Sequence, residues 1–472
     1  MKNFLSLSGL FFGLGVLFLS PTELQAQWEP DVRLTNDPAN SYTSYNNAWC
    51  IAASGNVVHV VWFDYRDGNP EIYYKRSTDA GVSWLPDTRL TNNTAASWVP
   101  SIVVSGSVVH VVWEDYRDGN YEIYYKRSTD GGVSWSADTR LTNATAESWY
   151  PSITVSGSVV HVVWEDTRDG EDWAIYYKRS TDAGVTWGTD TRLTYNTANS
   201  RSPSVTVSGS VVHVVSYDFR DGNFEIYYKR STDAGVSWLP DTRLTNNTAR
   251  SWYPSITVSG SVVHVIWMDN RDGNDEIYYK RSTDGGVSWG AETRLTNNTA
   301  DSYYPSVTVS GSVVHVVWMD YRDGNLEIYY KRSTDGGVSW GTDTPLTNNT
   351  ASSDFPSVTV SGLVVHVVWT DDRDGNTEIY YKRDPTGNVD VAENEPTKLT
   401  KAEQGLKVVP NPFVSFSVAC GYEKRKFIVY NSMGSRVGVY NGNRIGADLQ
   451  PGVYFLTSSD GSGNPVRLVK IE

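Results

Sequence analysis

One eight-residue motif occurs six times in this chain at a nearly constant interval. It reads Ser-Thr-Asp-(Ala/Gly)-Gly-Val-(Ser/Thr)-Trp and begins at residues 77, 128, 180, 231, 282 and 333, which are 51 or 52 residues apart. A repeat of about this length indicates that one small unit of secondary structure is stacked or closed into a ring. The structure of one repeat can therefore be predicted first and then applied to the other copies.

Each repeat predicts four short strands and no helix. In the sixth repeat, residues 306–310 alternate between apolar and polar, residues 313–318 are β-branched and aromatic, and residues 327–331 form a third apolar segment. Turn residues separate these segments, and residues 338–340 and 346–347 complete the unit. We name the strands A to D in chain order. A four-stranded meander repeated around an axis is the blade of a β-propeller.

Strands A to C recur seven times, and the fourth strand of the last copy is missing from its expected place. After Arg383 the motif is replaced by Asp384-Pro385-Thr386-Gly387-Asn388. Residues 28–35, Trp-Glu-Pro-Asp-Val-Arg-Leu-Thr, copy residues 84–91, Trp-Leu-Pro-Asp-Thr-Arg-Leu-Thr. We therefore predict an all-β fold with a seven-bladed β-propeller over residues 27–384. The N-terminal strand is expected to close it, because closure removes exposed strand edges.

The net charge limits the partners that the protein can bind, and the N-terminal residues indicate where the protein is located. The net charge of −14 argues against nucleic acid and anionic membranes as partners. Lys2, the apolar run 4–19 and small residues before Gln27 predict a signal peptide over residues 1–26. The apolar run is too short for a membrane-spanning helix, so we predict no membrane span after cleavage. Cys50 and Cys420 are expected to be unpaired and buried, with a disulfide as the alternative.

The octapeptide resembles the Asp-box, or bacterial neuraminidase repeat, of sialidases and sialidase-like propellers. The resemblance covers residues 28–383. Its aspartates are predicted to be structural, because they can accept backbone N–H groups of their own turn beside a glycine and a tryptophan anchor. These aspartates are Asp79, Asp130, Asp182, Asp233, Asp284 and Asp335.

The opposite face carries the B–C turns and the D–A connections, and the resemblance places a sialidase active site there. The B–C turns repeat an Asp-x-Arg-Asp-Gly pattern, and aromatic residues recur in the D–A connections. Aromatic rings beside Asp and Arg suit carbohydrate. The candidate ligand residues are Arg66, Arg117, Arg168, Arg220, Arg271, Arg322, Arg373, Asp115, Asp166, Asp320, Trp98, Trp149, Trp252 and Tyr303. Alternatively, each arginine pairs within its own turn and each aromatic residue shields a blade junction.

The resemblance also implies what a sialidase would need: three arginines that clamp the substrate carboxylate, a Tyr–Glu nucleophile pair, an Asp acid/base and an Arg-Ile-Pro motif. Arg-Ile-Pro is absent, and no Tyr or Glu stands apart among the repeats, so no catalytic residue is assigned. Catalysis needs chemically different groups that meet at one place. Nearly identical blades instead repeat the same groups around the ring. Residues 171–173, Ser216 and residues 41–46 depart from the repeat, through drift or to build one special pocket.

All seven histidines occupy one position of the repeat, in the middle of strand B. They are His59, His110, His161, His213, His264, His315 and His366. A ring holds such residues apart, so we expect packed, hydrogen-bonded histidines and predict no metal ion and no cofactor. No Asp-x-Asp-x-Asp-Gly calcium loop occurs in the sequence.

The tail predicts a second domain and a route of export. Residues 385–405 are polar and are predicted to be a linker, and residues 406–472 predict a small immunoglobulin-like β-sandwich. Pro410-Asn411-Pro412-Phe413, Met433-Gly434 and Pro451-Gly452-Val453-Tyr454-Phe455 resemble the C-terminal sorting domains of type IX secretion substrates. This resemblance implies the type IX secretion machinery as a partner. The alternative is an ordinary immunoglobulin-like accessory domain.

Together these features predict a secreted or cell-surface protein that acts as a binding or adhesion module for glycans or surface proteins. An exo-sialidase-like glycoside hydrolase is the alternative. Symmetry favours the binding module, because repeated weak sites raise avidity without any new contact.

Overall fold

The computed structural model describes residues 28–45, 49–170, 172–195 and 198–387, and in the tail residues 408–409, 417–419, 426–431, 436–441, 444–445, 449–450, 452–458 and 466–470. The chain divides into two compact units, Met1–Ala392 and Glu393–Glu472. The described residues form strands and no helix, and hence no helix that could span a membrane. The predicted signal peptide, residues 388–405 of the predicted linker and Cys420 lie outside the described residues.

The first unit is a seven-bladed β-propeller. Strands A are Ser41–Tyr42 with Ile51–Ser54, Ser97–Ser105, Ser148–Ser156, Ser200–Ser208, Ser251–Ser259, Ser302–Ser310 and Ser353–Ser361. Strands B are Val57–Asp64, Val108–Asp115, Val159–Asp166, Val211–Asp218, Val262–Asp269, Val313–Asp320 and Val364–Asp371. Strands C are Glu71–Ser77, Glu122–Ser128, Ala174–Ser180, Glu225–Ser231, Glu276–Ser282, Glu327–Ser333 and Glu378–Asp384. Strands D are Thr88–Arg89, Thr139–Arg140, Thr191–Arg192, Thr242–Arg243, Thr293–Arg294 and Thr344–Pro345.

Strands A to D pair antiparallel in chain order within a blade, and strands A of successive blades are neighbours around the axis. The fourth strand of the seventh sheet is Val32–Arg33, with Val32 opposite Tyr381. In the sixth blade, strand A begins at Ser302, earlier than the predicted residue 306, because its first residues pair with strand B beyond a bulge. Strand D is Thr344–Pro345 rather than the predicted residues 346–347.

Each Asp-box tryptophan packs on a tyrosine of the preceding blade. Trp84 meets Tyr381 edge to face with 4.9 Å between ring centroids, and Trp28 meets Tyr330 in the same way at 5.0 Å. The corresponding pairs are Trp135–Tyr74, Trp187–Tyr125, Trp238–Tyr177, Trp289–Tyr228 and Trp340–Tyr279. Gly81 has a φ of +82°, and a Cβ there would lie 1.9 Å from the Tyr381 hydroxyl, so the glycine is required by both conformation and space.

Strand B supplies the blade core, and its histidine is part of it. Nδ1 of His59 lies 2.6 Å from the hydroxyl of Tyr74, and the imidazole is buried. Burial lowers the pKa of His59 to about 4, so the ring is neutral at pH 7. Cys50 is a buried free thiol, and burial raises its pKa to about 12. The other six histidines bond a tyrosine in the same way.

Blade 4 lacks one large core side chain. In six blades a fully buried tryptophan near the end of strand B stacks on a tyrosine of strand C, as Trp164 does on Tyr176 at 6.0 Å. Blade 4 has Ser216 there, opposite Tyr227 of strand C. A small cavity lined by Ser216, Leu193 and Tyr227, among other residues, remains at this place.

Filling this cavity is expected to stabilise the propeller. Ser216→Trp restores the side chain of the other blades and should raise the unfolding temperature, since burying such a side chain contributes about 1.5–3 kcal/mol. The matched reverse change, Trp267→Ser in blade 5, should destabilise by about 3–5 kcal/mol. Thermal unfolding measures both. A Ser216→Trp variant that unfolds below the native protein would contradict the expectation.

The second unit contains two antiparallel sheets. One consists of Val408–Val409, Ser417–Ala419 and Arg444–Ile445 in this order. The other has the order Arg436–Asn441, Lys426–Asn431, Gly452–Ser458, Val466–Lys470. Phe427, Val429, Ile445, Leu449, Tyr454 and Leu456 form its buried apolar cluster. The motif residues 410–413 and 433–434 lie outside the described residues.

Candidate functional site

The arginines of the B–C turns bind carboxylates of their own sheets. Nη2 of Arg66 lies 2.6 Å from Oδ2 of Asp64, and Nη1 lies 2.8 Å from Oδ2 of Asp87. The guanidinium carbon lies 4.3 Å from the ring centroid of Tyr73. Arg117, Arg168, Arg220, Arg271, Arg322 and Arg373 repeat these contacts, with Nη2 2.5–2.7 Å from the aspartate. Each guanidinium is therefore neutralised within its sheet.

Asp64 is the central acceptor of this arrangement and is fully buried. It accepts the Nε1–H of Trp62 at 2.9 Å, the Oγ–H of Ser41 at 2.8 Å and the backbone N–H of Arg66 at 2.9 Å. Burial raises the pKa of Asp64, but the hydrogen bonds from Arg66 and Trp62 outweigh burial and hold the pKa below its usual value. Asp115, Asp166 and Asp320 occupy the same place in their blades and are also buried.

The third residue of strand A is left-handed in blades 2 to 7. The pairing of A with B shifts register at this point, which marks a β-bulge. The residues are Val99, Tyr150, Ser202, Tyr253, Tyr304 and Phe355, with φ between 46° and 54°. Side chains other than glycine rarely adopt this conformation, and each instance costs about 1–3 kcal/mol. Strain of this kind concentrates at functional sites.

Tyr45, Tyr150, Tyr253, Tyr304 and Phe355 form an aromatic collar around the axis of the ring. Tyr253 lies 4.6 Å from Tyr304, which lies 5.0 Å from Phe355, which in turn lies 4.9 Å from Tyr45. Tyr150 of blade 3 interacts electrostatically with Tyr45 of blade 1 and Tyr304 of blade 6. Side chains from blades so far apart meet only near the axis.

Blade 4 interrupts the collar with Ser202, and two buried glutamates lie beside the gap. Oε1 of Glu165 accepts the backbone N–H of Ser202 at 2.5 Å, and its Oε2 accepts the Nε–H of Arg201 at 3.2 Å. One blade earlier, Oε2 of Glu114 accepts the backbone N–H of Tyr150 at 3.0 Å. Glu165 is fully buried and Glu114 is 7% exposed. Both carboxyls thus bind the amide of the left-handed residue in the following blade.

Two tryptophans continue this cluster towards solvent. The rings of Trp149 and Trp173 lie 5.1 Å apart at an angle of 50°, and the guanidinium carbon of Arg201 lies 4.7 Å from the Trp173 ring centroid. All three side chains are half-buried. Trp173 belongs to the longer B–C turn of blade 3. We call Glu114, Glu165, Trp149, Trp173 and Arg201 the axial site.

Trp98, Trp252 and Tyr303, the other predicted aromatic ligand residues, occupy the position of Trp149 in blades 2, 5 and 6. Trp98 packs on Phe63 with 5.2 Å between centroids. The hydroxyl of Tyr303 donates a hydrogen bond of 2.7 Å to Asp301. Of these four aromatic residues, Trp149 is the one whose ring contacts Trp173.

The motif analysis missed Glu114 and Glu165, so the interpretation that no glutamate stands apart is corrected. Glutamate recurs at the start of strand C in six blades, which masked these two. The position before the buried aspartate of strand B reads Phe63, Glu114, Glu165, Tyr217, Met268, Met319 and Thr370. A position that changes its chemistry between nearly constant neighbours is the signal that identifies them.

The two glutamates are set up differently. Burial raises the pKa of Glu114 to about 8; the Tyr150 amide lowers it, while repulsion from Glu165 and Glu147 adds to the increase. Burial raises the pKa of Glu165 to about 7, opposed by the charge of Arg201 and the amide of Ser202. Burial thus favours the protonated form of both carboxyls.

The Asp-box aspartates lie on the other face and hold their own turns. Oδ1 of Asp79 accepts the backbone N–H of Ser83 at 2.8 Å and the hydroxyl of Ser77 at 2.7 Å, and Oδ2 accepts the Ser83 hydroxyl at 2.6 Å. These bonds, that of the Ser83 hydroxyl first, lower the pKa of Asp79 to about 2. Asp130, Asp182, Asp233, Asp284 and Asp335 make the same backbone contact. Among the described residues, no three His, Cys, Asp or Glu side chains converge to hold a metal ion.

A family model described as a BNR repeat-like domain matches residues 16–265 and 104–316. The chain belongs to this family. A search of curated proteins found no match to this BNR repeat-like protein. Its fold is found in solved structures of low sequence identity.

A PL25 ulvan lyase bound to -[GlcA(1-4)Rha3S]- is 10% identical, covers 74% of this chain and 95% of its own, and gives a TM-score of 0.53. The polysaccharide lyase Uly1 is 11% identical. The match covers 75% of this chain and 99% of the lyase chain, with a TM-score of 0.50. A Trypanosoma rangeli sialidase is 11% identical. The match covers 81% of this chain and 85% of the sialidase chain, with a TM-score of 0.45. At such identities the similarity is one of fold.

The two glutamates of the axial site predict a pH-dependent contribution to the stability of this BNR propeller. Unfolded glutamate ionises near pH 4.3, whereas folded Glu114 keeps its proton to about pH 8 and Glu165 to about pH 7. At these two carboxyls the folded state then binds more protons between about pH 4.3 and 8, so their contribution to the free energy of unfolding falls as pH rises across that window. The Glu114→Gln variant lacks one of these two contributions. Its unfolding temperature, relative to that of the native protein, should therefore rise between pH 5 and 9.

Met319→Gln is the control for this measurement, because it alters the same position of blade 6 without removing an ionisable group. Its difference from the native protein should stay constant with pH. If the difference for Glu114→Gln is equally constant in thermal unfolding, the raised pKa is contradicted.

Proposed function

We propose that this BNR repeat-like protein is a carbohydrate-binding propeller whose ligand occupies the axial site. One observation carries the proposal: side chains that depart from the repeat lie together at one place. Trp173 comes from the longer turn of blade 3, Arg201 and Ser202 from strand A of blade 4, and Glu114 and Glu165 from strands B. Ser216 also departs from the repeat, in the core of blade 4, but the departures named here come from three blades and converge, as a shared ligand requires.

The chemistry of the axial site suits a sugar. The half-buried rings of Trp149 and Trp173 offer apolar faces for the C–H side of a pyranose. Arg201 offers N–H donors, and Glu114, which is 7% exposed, offers a carboxyl group for the hydroxyl groups of a sugar. Both polysaccharide lyases that share the fold at a TM-score of 0.50 or more act, by their names, on polysaccharides. This agrees with a glycan rather than a surface protein as the ligand.

We propose different roles for the residues that the sequence placed on this face. Trp149 contacts the ligand. The seven arginines, with Asp115, Asp166 and Asp320, hold the B–C turns, because their charges are matched within each sheet. Trp98, Trp252 and Tyr303 shield blade junctions.

Glycoside hydrolysis is the second candidate, favoured by the presence of two carboxyl groups, Glu114 and Glu165, in one site. Protonated Glu114 would donate its proton to the glycosidic oxygen as the bond to the leaving sugar breaks. Ionised Glu165, held beside Arg201, would take a proton from the attacking water. Turnover of a glycan that persists in both Glu114→Gln and Glu165→Gln would exclude this pair.

Binding to a glycan array followed by titration calorimetry tests the main proposal. Trp149→Ala and Trp173→Ala should each weaken binding about tenfold, equivalent to about 1.4 kcal/mol. Trp98→Ala changes the same repeat position in blade 2 and should leave the affinity within about twofold. Equal losses in Trp98→Ala and Trp149→Ala would place the ligand elsewhere, and an array without any binding would remove the proposal.

We also propose that the protein is exported to the cell surface or medium. Residues 1–26 would direct it across the inner membrane, and residues 406–472 would act as a type IX sorting domain of immunoglobulin-like form. The sequence resemblance of the tail supports this, as do the two antiparallel sheets of the second unit.

Truncation before Val408 tests the sorting role. In a bacterium with type IX secretion, the truncated protein should accumulate in the periplasm while the full chain reaches the surface or medium. Cell fractionation with an antibody against the propeller distinguishes the two. Efficient release of the truncated protein would contradict the role.

We further propose that residues 28–35 are the segment that closes the ring. The pairing of Val32 with Tyr381 and the contact of Trp28 with Tyr330 support it. Deleting residues 28–35 should lower the unfolding temperature by several degrees, since burial of Trp28 alone contributes about 1.5–3 kcal/mol. An unchanged melting curve would show that closure does not depend on this segment.

A further inference from the structure

The axial site is rich in acids and poor in available bases. Glu114 and Glu165 lie inside it, and a carboxylate oxygen of Glu147 lies 3.3 Å from Nε1 of Trp149 at its edge. Arg201 is the basic residue of the site as defined; its charge is matched by Glu165 through the Nε–H bond, and its guanidinium stacks on Trp173. An anionic group entering here would meet a matched cation and further carboxyls.

The neighbouring B–C turns cannot supply the missing positive charge. Recognition of a carboxylate or sulfate relies on guanidinium N–H groups that are free to form a paired, charge-assisted contact. The seven turn arginines each spend Nη1 and Nη2 on two carboxylates of their own sheet and lie over a tyrosine ring. Releasing one would leave a buried aspartate without its partner, which costs far more than a surface contact returns.

We infer that the axial site takes an uncharged or amine-bearing glycan and excludes sugars that carry carboxylate or sulfate groups. The inference rests on the proposed function and adds the substrate class. Glu114 accepts a backbone hydrogen bond from Tyr150 and is 7% exposed. A carboxyl group in that position suits a hydroxyl or ammonium donor of the ligand.

Glu165 is the specificity-determining residue in this account. It neutralises Arg201, the guanidinium nearest to the tryptophan faces. Removing the carboxylate would leave that cation unpaired beside Trp173, ready to bind an acidic sugar. Glu165 thus acts through Arg201 as a positioning and charge-masking residue, and its loss should alter which ligands bind rather than abolish binding.

The test compares hexasaccharides of different charge on the full mature chain by titration calorimetry. The probes are a glucosamine hexamer, an N-acetylglucosamine hexamer, a glucose hexamer and a galacturonate hexamer. We expect binding of at least one of the first three and at least tenfold weaker binding of the galacturonate hexamer. Native protein that binds the galacturonate hexamer as well as or better than the others would overturn the inference while leaving the proposed function standing. Failure of all four, together with a glycan array that shows no binding, would remove both.

Variants of Glu165, the residue that neutralises Arg201, test the inference more specifically. Glu165→Gln should bind the galacturonate hexamer at least fivefold more tightly than native protein does. Glu165→Met, the residue of blades 5 and 6 at this position, serves if the glutamine variant does not fold. Glu147→Gln removes the same unit of charge from this face without releasing an arginine, and its selectivity should stay within about twofold of native. No gain in either Glu165 variant, or an equal gain in Glu147→Gln, would overturn the masking role.

Discussion

A buried aspartate at the end of strand B holds each blade together and determines what the face above it can bind. It joins the start of strand A, the tryptophan of strand B and the arginine of the B–C turn, as Asp64 joins Ser41, Trp62 and Arg66. Removing one partner of such a buried pair costs about 3–5 kcal/mol. The aspartate–arginine pair recurs in all seven blades, and blade 4 lacks only the tryptophan, so the arginines of this face are held by carboxylates of their own sheets.

On this face, the residues that repeat from blade to blade and the residues that differ lie in two separate regions. Around the turns, every blade makes the same contacts. Near the axis, the blades differ, since strands A begin and strands B end there with residues that the repeat does not fix. The aromatic collar and its interruption at Ser202 lie in this region, and the left-handed conformation recurs there in blades 2 to 7. Dissimilar side chains from blades 2, 3 and 4 meet there.

The sequence predicts the fold well because the repeat states it seven times. Strand order, blade number and the turn chemistry of the Asp-box follow from alternation, glycines and aspartates within a single unit. The axial site could not be predicted in the same way, because Glu114 and Tyr150 belong to different repeats and meet only when the ring forms. The positive φ of Val99 also escaped prediction, since nothing in a β-branched residue indicates a left-handed bulge. Comparing one position across the blades, rather than searching for motifs, would have revealed Glu114 and Glu165.

The most direct test of this account is a crystal structure of the propeller with a bound uncharged or amine-bearing oligosaccharide. The account predicts one sugar chain per molecule, with a pyranose against Trp149 and Trp173 and a hydroxyl or amine beside Glu114, while the seven turn arginines keep their aspartates. Sugars bound at several equivalent blades, on the Asp-box face, or to turn arginines released from their aspartates would contradict it.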